Sequence, residues 1–577
     1  MSDTAVNKTS WRLYFVCCGL VLCFVGVSVR AIYLHAFDQG FLQKQGDARM
    51  VRVEEIAAHR GLITDRRSKP IAVSTPMESI WAVPKELLPV QDRWETLAKL
   101  MGVSYRHLKN QLLAGQGKQF VYLKRHLPPE KAQTVLDLNL PGVYSVTEYR
   151  RFYPSAEVTA HVAGITDIQG HGQEGLELAF DANLQGNPGK IRVLKDRKKR
   201  VFQNLDIIAS AQPGEDLNLS IDLRVQHLAY RELVRAVKLN RADSGSIIVV
   251  NVETGEILAL VNQPSFNPNN RQNLKASHLR NRAITDLFEP GSTVKPFTIL
   301  AALESGKYKP HSLVNTNPGT LRVGKKLVRD HRNYGVLNLE KILVKSSNVG
   351  TSKIALSLPP EDLVNVFSRL GLGRPTGSEY PGESLGVLPY RDRWHDIERA
   401  TLSYGYGLSV TALQLSHAYS VLAAGGVERP LTLLKQEKAV PGEQVIERAH
   451  AQEVLRMLEG VVSKEGTASR AKVAGYRVAG KTGTVHKVTQ KGYADDQYVA
   501  LFAGIAPVSD PKFATVIVIN NPRGEDYYGG LVAAPVYSRL MSGVLPLFNI
   551  VPDDAEFRVA NPAAFTSVST RVPAVGT

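Results

Sequence analysis

The chain has 577 residues, 44% of them hydrophobic and 21% charged, so it is too long for one ordinary domain and too apolar for wholesale disorder. Lys and Arg number 70 against 54 Asp and Glu, a net charge of +16 that suits a polyanionic partner or an anionic membrane surface and fixes no fold. There are three cysteines, Cys17, Cys18 and Cys23, all inside one apolar stretch near the N-terminus, and that excludes a disulfide scaffold.

That apolar stretch is the first element. Leu13 to Val29 is 17 residues without a charge, and Ala31 to Leu34 continues beyond Arg30. A span over 13–34 is long enough to cross a bilayer at ~20 residues, with Arg30 snorkelling to the interface. Trp11 and Tyr33 stand where interfacial aromatics belong. A cleaved signal peptide is the rival, but the run exceeds the ~7–15 residues of a signal core. Lys8 and Arg12 on one side nearly balance Lys44, Arg49 and Arg52 on the other, so charge alone does not orient the span. Residues 1–12 are a short tail, and the function is expected on the C-terminal side.

Residues 38–215 read as a mixed domain of short elements. Helical spacing covers Trp94–Leu112 and Pro129–Leu138. The run Lys190–Arg200 carries seven basic residues and one acid, yet Ile191, Val193 and Val201 keep an extended alternation. A solvated β-ribbon is expected there, and no nucleic-acid partner. Gln212-Pro213-Gly214-Glu215 marks a boundary. Beyond it, Asp216–Ile221 alternates like a strand and Leu223–Val237 has helical spacing. Ser246–Val252 and Glu256–Val261 read as a hairpin about Thr254-Gly255. Helices are predicted over 411–424, 448–462 and 535–547, and strands over 476–488, 498–506 and 513–520. The pattern is α+β, late antiparallel strands backed by helices. The tail from Val551, within 549–577, is Pro-, Ala- and Ser-rich and expected to be disordered.

The chemistry is carried by an ordered triple. S-x-x-K occurs at Ser292/Lys295, Ser469/Lys472 and Ser509/Lys512. Only Ser292 is followed in order by S-x-N, at Ser346/Asn348, and by K-T-G, at Lys481-Thr482-Gly483. Phe288-Glu289-Pro290-Gly291 breaks the chain before Ser292, and Pro296 keeps Ser292 within a helix's first turn. Orphan N–H groups there favour a developing oxyanion. Lys295 lies on the same face and can act as base if burial or a neighbouring cation lowers its pKa. Lys481 suits that second cation. Ser346 and Asn348, in an extended loop, are expected to point to one side, the hydroxyl relaying a proton and the amide holding Lys295 and substrate. Thr482 and Thr484 share a strand face with Gly483 between them, so an extended peptide can pair with that edge.

These motifs resemble those of the class B penicillin-binding proteins. So do His59-Arg60-Gly61-Leu62-Ile63-Thr64-Asp65-Arg66, Arg151-Phe152-Tyr153-Pro154, Gly172-Gln173-Glu174-Gly175-Leu176-Glu177 and Tyr404-Gly405-Tyr406-Gly407. The resemblance covers about residues 40–547. It implies an N-terminal transmembrane helix, an elongated non-catalytic pedestal over 38–215 and an α+β transpeptidase domain over 216–548. The activity implied is a peptidoglycan D,D-transpeptidase that cross-links stem peptides, in septal wall synthesis, and is acylated by β-lactams. It further implies a SEDS-family glycan polymerase and division proteins as partners, and an inner-membrane location with a cytoplasmic N-terminus and periplasmic catalytic domain. No cofactor or metal is expected. Ser292 would be the acylated nucleophile and Lys295 its base. The backbone N–H groups of Ser292 and Thr484 would form the oxyanion hole. Tyr406, Tyr498, Phe502, Tyr527 and Tyr528 would wall the cleft. His486, where close kin are expected to carry Arg, would lie at the cleft's edge.

Two rival functions remain at this level. A β-lactamase-like hydrolase or carboxypeptidase would need a deacylating element, and the downstream E-x-x-x-N match is Glu361–Asn365. A non-enzymatic β-lactam sensor or scaffold would need a signalling domain, for which the 12 residues ahead of the span are too few.

Overall fold

The computed structural model describes residues 6–36, 40, 51–56, 58–195, 201–489 and 492–555. The first helix runs Val6–Ala36, and its Trp11–Ala36 stretch has a mean hydropathy of 2.3 with none of it buried. It is long and apolar enough to cross a membrane, and the expected span 13–34 lies within it.

The chain forms two compact units. One comprises Met1–His59, Met77–Glu148 and Gly186–Pro213. Within it Val51–Ile56, Gly189–Lys195 and Val201–Ala209 form a three-stranded antiparallel sheet. The expected ribbon is therefore there up to Lys195, while Asp196–Arg200 lies outside the described residues. A small core of Leu97, Met101, Leu108 and Leu112 closes over the helices. The single helical stretch expected over Trp94–Leu112 is in fact two helices, Trp94–Met101 and Tyr105–Ala114. Gly102 ends the first in a left-handed conformation at φ 65°, and the Ser104 hydroxyl caps the second by accepting from the His107 N–H.

The other unit comprises Arg60–Pro76, Tyr149–Gln185 and Gly214–Thr577. Two segments expected in the pedestal therefore group with the chain beyond Gly214. Arg66 pairs with Glu256 at 3.3 Å, Gln226 donates to the Val158 carbonyl at 2.8 Å and Arg271 to the Thr166 carbonyl at 2.6 Å, which ties both segments to that chain, and a buried ion network ties the two segments to each other. Glu177, fully buried, accepts from Arg60 Nε at 2.8 Å and from Arg151 Nε at 2.6 Å. Arg60 also reaches Asp181 at 2.7 Å, and Arg151 donates to the Gly61 carbonyl at 2.7 Å. Removing one partner of such a buried network strands the other charges. Glu177→Ala is expected to lose about 3–5 kcal/mol of stability. A melt of purified protein checks this, and an unchanged unfolding midpoint would show that the network is dispensable.

Of the strand expected over Asp216–Ile221, Leu217–Asn218 pairs parallel to Ile63–Thr64, and Leu219 adds an isolated antiparallel bridge to Leu434. Asp222 turns instead to cap helix α1 (Leu223–Leu239), accepting from the Arg224 N–H. The central sheet is built from β1 (Ser244–Asn251), β2 (Ile257–Gln263), β3 (Ala479–Thr489), β4 (Gly492–Ala506) and β5 (Phe513–Asn520). Its order is β2-β1-β5-β4-β3, antiparallel throughout. β1 and β2 are buried along nearly their whole length, which explains runs such as Ile247–Val250 with no alternation. Helices α1 and α6 (Ala534–Leu547) pack together on this sheet, and α5 (Ala412–Ala423) packs on β1 and β5. Thr411 starts α5 with a capping box completed by Gln414. β3 is left as an edge strand. The tail expected to be disordered is described as far as residue 555. Over that stretch Asp553 accepts from the Arg477 and Ser509 N–H groups, so its beginning is tied to the fold. Residues 556–577 lie outside the described residues.

Candidate active site

The nucleophile turn forms where the sequence breaks. Gly291 takes φ 54°, and a Cβ there would come within 2.3 Å of a Val485 methyl. Gly291–Val294 is a short 3-10 turn that runs into α2 (Lys295–Glu304), with Pro296 in the first turn. Gly405, φ 88°, presses onto the same turn. A Cβ on it would meet the Gly291 carbonyl oxygen at 2.1 Å, so only glycine permits this approach. Glu289 braces the neighbouring loop, accepting from the Gly407 N–H at 2.8 Å and the Tyr493 hydroxyl at 3.0 Å, and burial pushes its carboxyl up.

Ser346 and Asn348 do not lie in the extended loop expected for them. They stand at a junction between two helices, α3 (Leu339–Lys345) and α4 (Asn348–Ser357). Ser346 ends α3 in the left-handed region at φ 57°, and Asn348 opens α4. The sharp turn still brings both onto Lys295. Lys295 Nζ donates to the Ser346 carbonyl at 2.6 Å and to Asn348 Oδ1 at 2.7 Å. Asn348 Nδ2 donates to the Arg329 carbonyl at 3.0 Å, which fixes the amide's orientation.

Ser346 Oγ is the hub. It lies 3.1 Å from Ser292 Oγ, 3.1 Å from Lys295 Nζ and 3.1 Å from Lys481 Nζ. Both lysines are fully buried, whereas Ser292 is half-exposed. Burial and then the Lys481 charge push Lys295 well below the ordinary lysine range. Burial alone lowers Lys481 to about 7. For Lys295 both effects favour the neutral amine that a general base needs.

Lys481, Thr482 and Thr484 stand on edge strand β3, in register with Ala503, Phe502 and Ala500 of β4. Thr482 Oγ1 lies 2.9 Å from Thr467 Oγ1, and Thr484 Oγ1 accepts from the Gly529 N–H at 2.9 Å. A cleft of about 470 Å³ is lined by Ser292, Ser346, Asn348, Thr482, Thr484 and His486. Tyr498 stacks on Tyr527 at 4.1 Å and Tyr527 on Tyr528 at 4.5 Å, forming one wall. Tyr406 packs edge-on against Tyr404 at 5.6 Å on the cleft lining. His486 Nδ1 faces the Ala494 carbonyl at 2.9 Å, so that nitrogen carries hydrogen, and the ring tilts over Tyr498 at 4.7 Å. A larger cavity of 590 Å³ is lined by none of Ser292, Lys295, Ser346, Asn348 or Lys481.

Phe502 is the exception among the expected cleft residues. It is fully buried, edge-on to Tyr537 at 4.9 Å, because α6 covers that part of the sheet. It belongs to the core. Thr467, Tyr404 and His331 also line the cleft. Tyr404 has a signal in the Tyr404-Gly405-Tyr406-Gly407 motif, whereas Thr467 and His331 reach the cleft through tertiary folding alone. Ser469 and Ser509 are exposed, and Lys512 pairs with Asp510 at 2.9 Å, so the bare S-x-x-K matches assemble no such hub. Among the described residues no group of three His, Cys, Asp or Glu is placed to hold a metal ion.

Residues 245–542 match the penicillin binding protein transpeptidase domain, and residues 55–219 the penicillin-binding protein dimerisation domain. The chain is 44% identical over 552 residues to the peptidoglycan D,D-transpeptidase FtsI of Escherichia coli K12, covering 95% of this chain and 93% of that one. It is 40% identical to the probable peptidoglycan D,D-transpeptidase PbpC of Pseudomonas aeruginosa, covering 95% and 97%. Among solved structures, the apo TP domain of Burkholderia pseudomallei penicillin-binding protein 3 is 38% identical, with a TM-score of 0.54 over 58% of this chain and 98% of that one.

Proposed function

The chain belongs to the class B penicillin-binding proteins, FtsI type, and from that premise we propose that it is a peptidoglycan D,D-transpeptidase working through a Ser292 acyl-enzyme. The observation that carries the reading is the Ser346 hub, 3.1 Å from each of Ser292 Oγ, Lys295 Nζ and Lys481 Nζ. Ser292 Oγ attacks the carbonyl carbon between the two terminal D-alanines of a stem peptide. Its proton passes to Ser346 as the Ser346 proton passes to the neutral Lys295 amine. The peptide C–N bond breaks, and the same relay in reverse returns a proton to the departing D-alanine amine. The amine of a second stem then attacks the acyl carbon, the Ser292 ester bond breaks, and the relay takes the amine's surplus proton and returns one to Ser292 Oγ as the cross-link forms. Backbone N–H groups of Ser292 and Thr484 receive the oxyanion.

Thr482, Thr484 and Lys481 receive the terminal carboxylate, Gly483 leaves room for the extended stem, and Asn348 holds its amide. Tyr406, Tyr498, Tyr527, Tyr528 and His486 bound the cleft around it. Residues 216–548 carry the chemistry and 38–215 the pedestal. The first helix crosses the inner membrane with its N-terminus cytoplasmic, which leaves the active site periplasmic, beside a SEDS-family polymerase and division proteins. A β-lactam enters by the same attack, but its leaving nitrogen stays tethered and the enzyme stays acylated.

The hydrolase alternative has little to stand on. Glu361 and Asn365 lie on helix Pro360–Arg369, and Asn365 lines a separate cavity with Glu304 and Arg369. The test is cross-linking of purified lipid-linked peptidoglycan strands together with the lifetime of the penicilloyl adduct. Cross-links with a long-lived adduct support the transpeptidase, whereas rapid penicillin turnover without cross-links defeats it.

The relay makes its own prediction. Ser346→Ala keeps both lysines but removes the bridge, and acylation is expected to fall by roughly 10²-fold or more. Stopped-flow acylation measures this, and a rate near wild type would mean that Lys295 takes the Ser292 proton without Ser346.

A further inference from the structure

We propose that the 590 Å³ cavity beside the nucleophile turn is a second ligand site, fitted to a short apolar peptide that ends in a free carboxylate, and that its occupant steadies that turn. His486 is the residue that this lining shares with the catalytic cleft, and the other residues of the two linings differ. The effect on the turn rests on the transpeptidase reading above, whereas the binding does not.

The cavity is lined by the start of β1, the late part of β3, the end of β5 and the first residue of α5. The segment Leu287–Glu289, which leads into the nucleophile turn, lines it too. Leu287, Val387 and Val488 on this lining are about half exposed, so the cavity opens to solvent between apolar side chains. Its volume is that of an ordinary site for a small ligand, and an apolar lining with a few polar groups is what such sites have.

The polar groups select the ligand. Arg282 Nε and Glu289 Oε2 belong to lining residues, are buried, and have no hydrogen-bond partner among the described residues. The rest of each group is engaged. Arg282 donates to Asp286 at 3.0 Å and to the Ser277 carbonyl at 3.3 Å, and Glu289 Oε1 accepts from Gly407 and Tyr493. A buried donor or acceptor left unpaired is costly, so a ligand that supplies an acceptor to Arg282 and a donor to Glu289 relieves both. Charge points the same way. Arg280, Arg282 and Lys487 stand on the lining against two acids, and one of these, Asp286, is shared by Arg280 at 2.6 Å and Arg282 at 3.0 Å. A carboxylate suits Arg282, an amide N–H suits Glu289, and a bulky apolar side chain suits the rest. The C-terminal end of a short apolar peptide carries all three.

The position gives the site its effect. Glu289 stands three residues ahead of Ser292. Val485 packs a methyl against Gly291 and directly follows Thr484, so the lining touches the nucleophile turn and the strand beside it. An occupant that pairs with Glu289 and packs on Val485 therefore bears on both sides of the oxyanion hole, formed by the N–H groups of Ser292 and Thr484, and contacts none of the reacting atoms. Holding those two donors in place is preorganisation, and the acylation rate rises with occupancy.

The experiment is a calorimetric titration of N-acetyl-L-phenylalanine into the full-length protein in lipid nanodiscs, with the cleft first blocked by penicillin. A dissociation constant of about 1 mM or tighter is expected. N-acetyl-L-phenylalaninamide, which lacks the carboxylate, and 3-phenylpropionate, which lacks the N–H, should each bind about tenfold more weakly. Arg282→Gln should weaken the acid about tenfold and leave the amide unchanged, and Ala412→Leu, which fills the cavity, should abolish binding of both. In unblocked protein, saturation with the acid should raise the rate of acylation by a fluorescent penicillin about fivefold, and Ala412→Leu should remove that rise. No binding at about 10 mM, equal affinity for acid and amide, or a rate that stays within about twofold at saturation overturns the inference. The two analogues need no variant, so the inference stays open to failure even where a substitution does not fold. Wild type that takes no penicillin label defeats the transpeptidase reading instead and leaves the titration readable, so the two failures are distinct.

Discussion

Ser292→Ala is expected to abolish covalent labelling by penicillin, and peptide mapping of the labelled wild type to find the adduct on Ser292 alone. Losing the nucleophile of a serine enzyme typically costs on the order of 10⁶ in rate, because nothing else in the site can form the acyl bond. The structure gives no second candidate. Ser346 lies 3.1 Å away and also lines the cleft, but its Oγ is bonded to both buried lysines at 3.1 Å, the position of a relay between Ser292 and its base. Cross-linking should disappear with the label. Folding should not change, since the substitution removes one oxygen from a turn held by Gly291 and Gly405. Label that persists in Ser292→Ala, or adduct on Ser346, would end the assignment and with it the direction of the relay.

Much of this site is legible in the chain because each catalytic motif is local. A Pro-Gly break sets Ser292 at a helix start, i+3 spacing brings Lys295 near, and strand alternation puts Thr482 and Thr484 on one face. These are short-range rules, and tertiary packing does not change them. The Ser346–Asn348 geometry is not legible in this way. The two residues were expected to share a side because extended residues two apart do. They converge for a different reason, a left-handed Ser346 between two helices. The residues just after it, Ser347 and Asn348, bond to Asp330, sixteen residues upstream of Ser346 in sequence and beyond the reach of any local pattern. Phe502 shows the opposite failure. It pairs with Thr482 in register, so the strand pattern alone places it beside the site, but α6 covers it. Which part of a sheet face is covered is set by helices distant in sequence. The grouping of Arg60–Pro76 and Tyr149–Gln185 with the catalytic unit is hidden for the same reason, since it depends on contacts such as Arg66–Glu256 and Arg271–Thr166, each across more than a hundred residues.

The buried lysines make the second large prediction. Lys295→Ala removes the proton acceptor, and loss of general-base catalysis costs ~10²–10⁴-fold in acylation. Lys481→Met keeps that acceptor but removes its cationic neighbour. Burial holds Lys481 to about 7, so at pH 7 a good share of the molecules carry its charge, and that charge helps to keep Lys295 unprotonated. The sign then follows. The active form has neutral Lys295, so the rate falls as pH drops through the Lys295 pKa. Without Lys481 the amine holds its proton to higher pH, and the acid limb moves up. The Lys481→Met rate at pH 7 should also fall severely, because the variant loses a carboxylate contact and begins from a more protonated base. The measurement is the acylation rate constant across pH for both variants and wild type. Either variant acylating within about threefold of wild type at pH 7 would remove that lysine from the mechanism. An acid limb that moves down in Lys481→Met would mean that Lys481 does not act on Lys295 through its charge, and that burial alone keeps the base neutral.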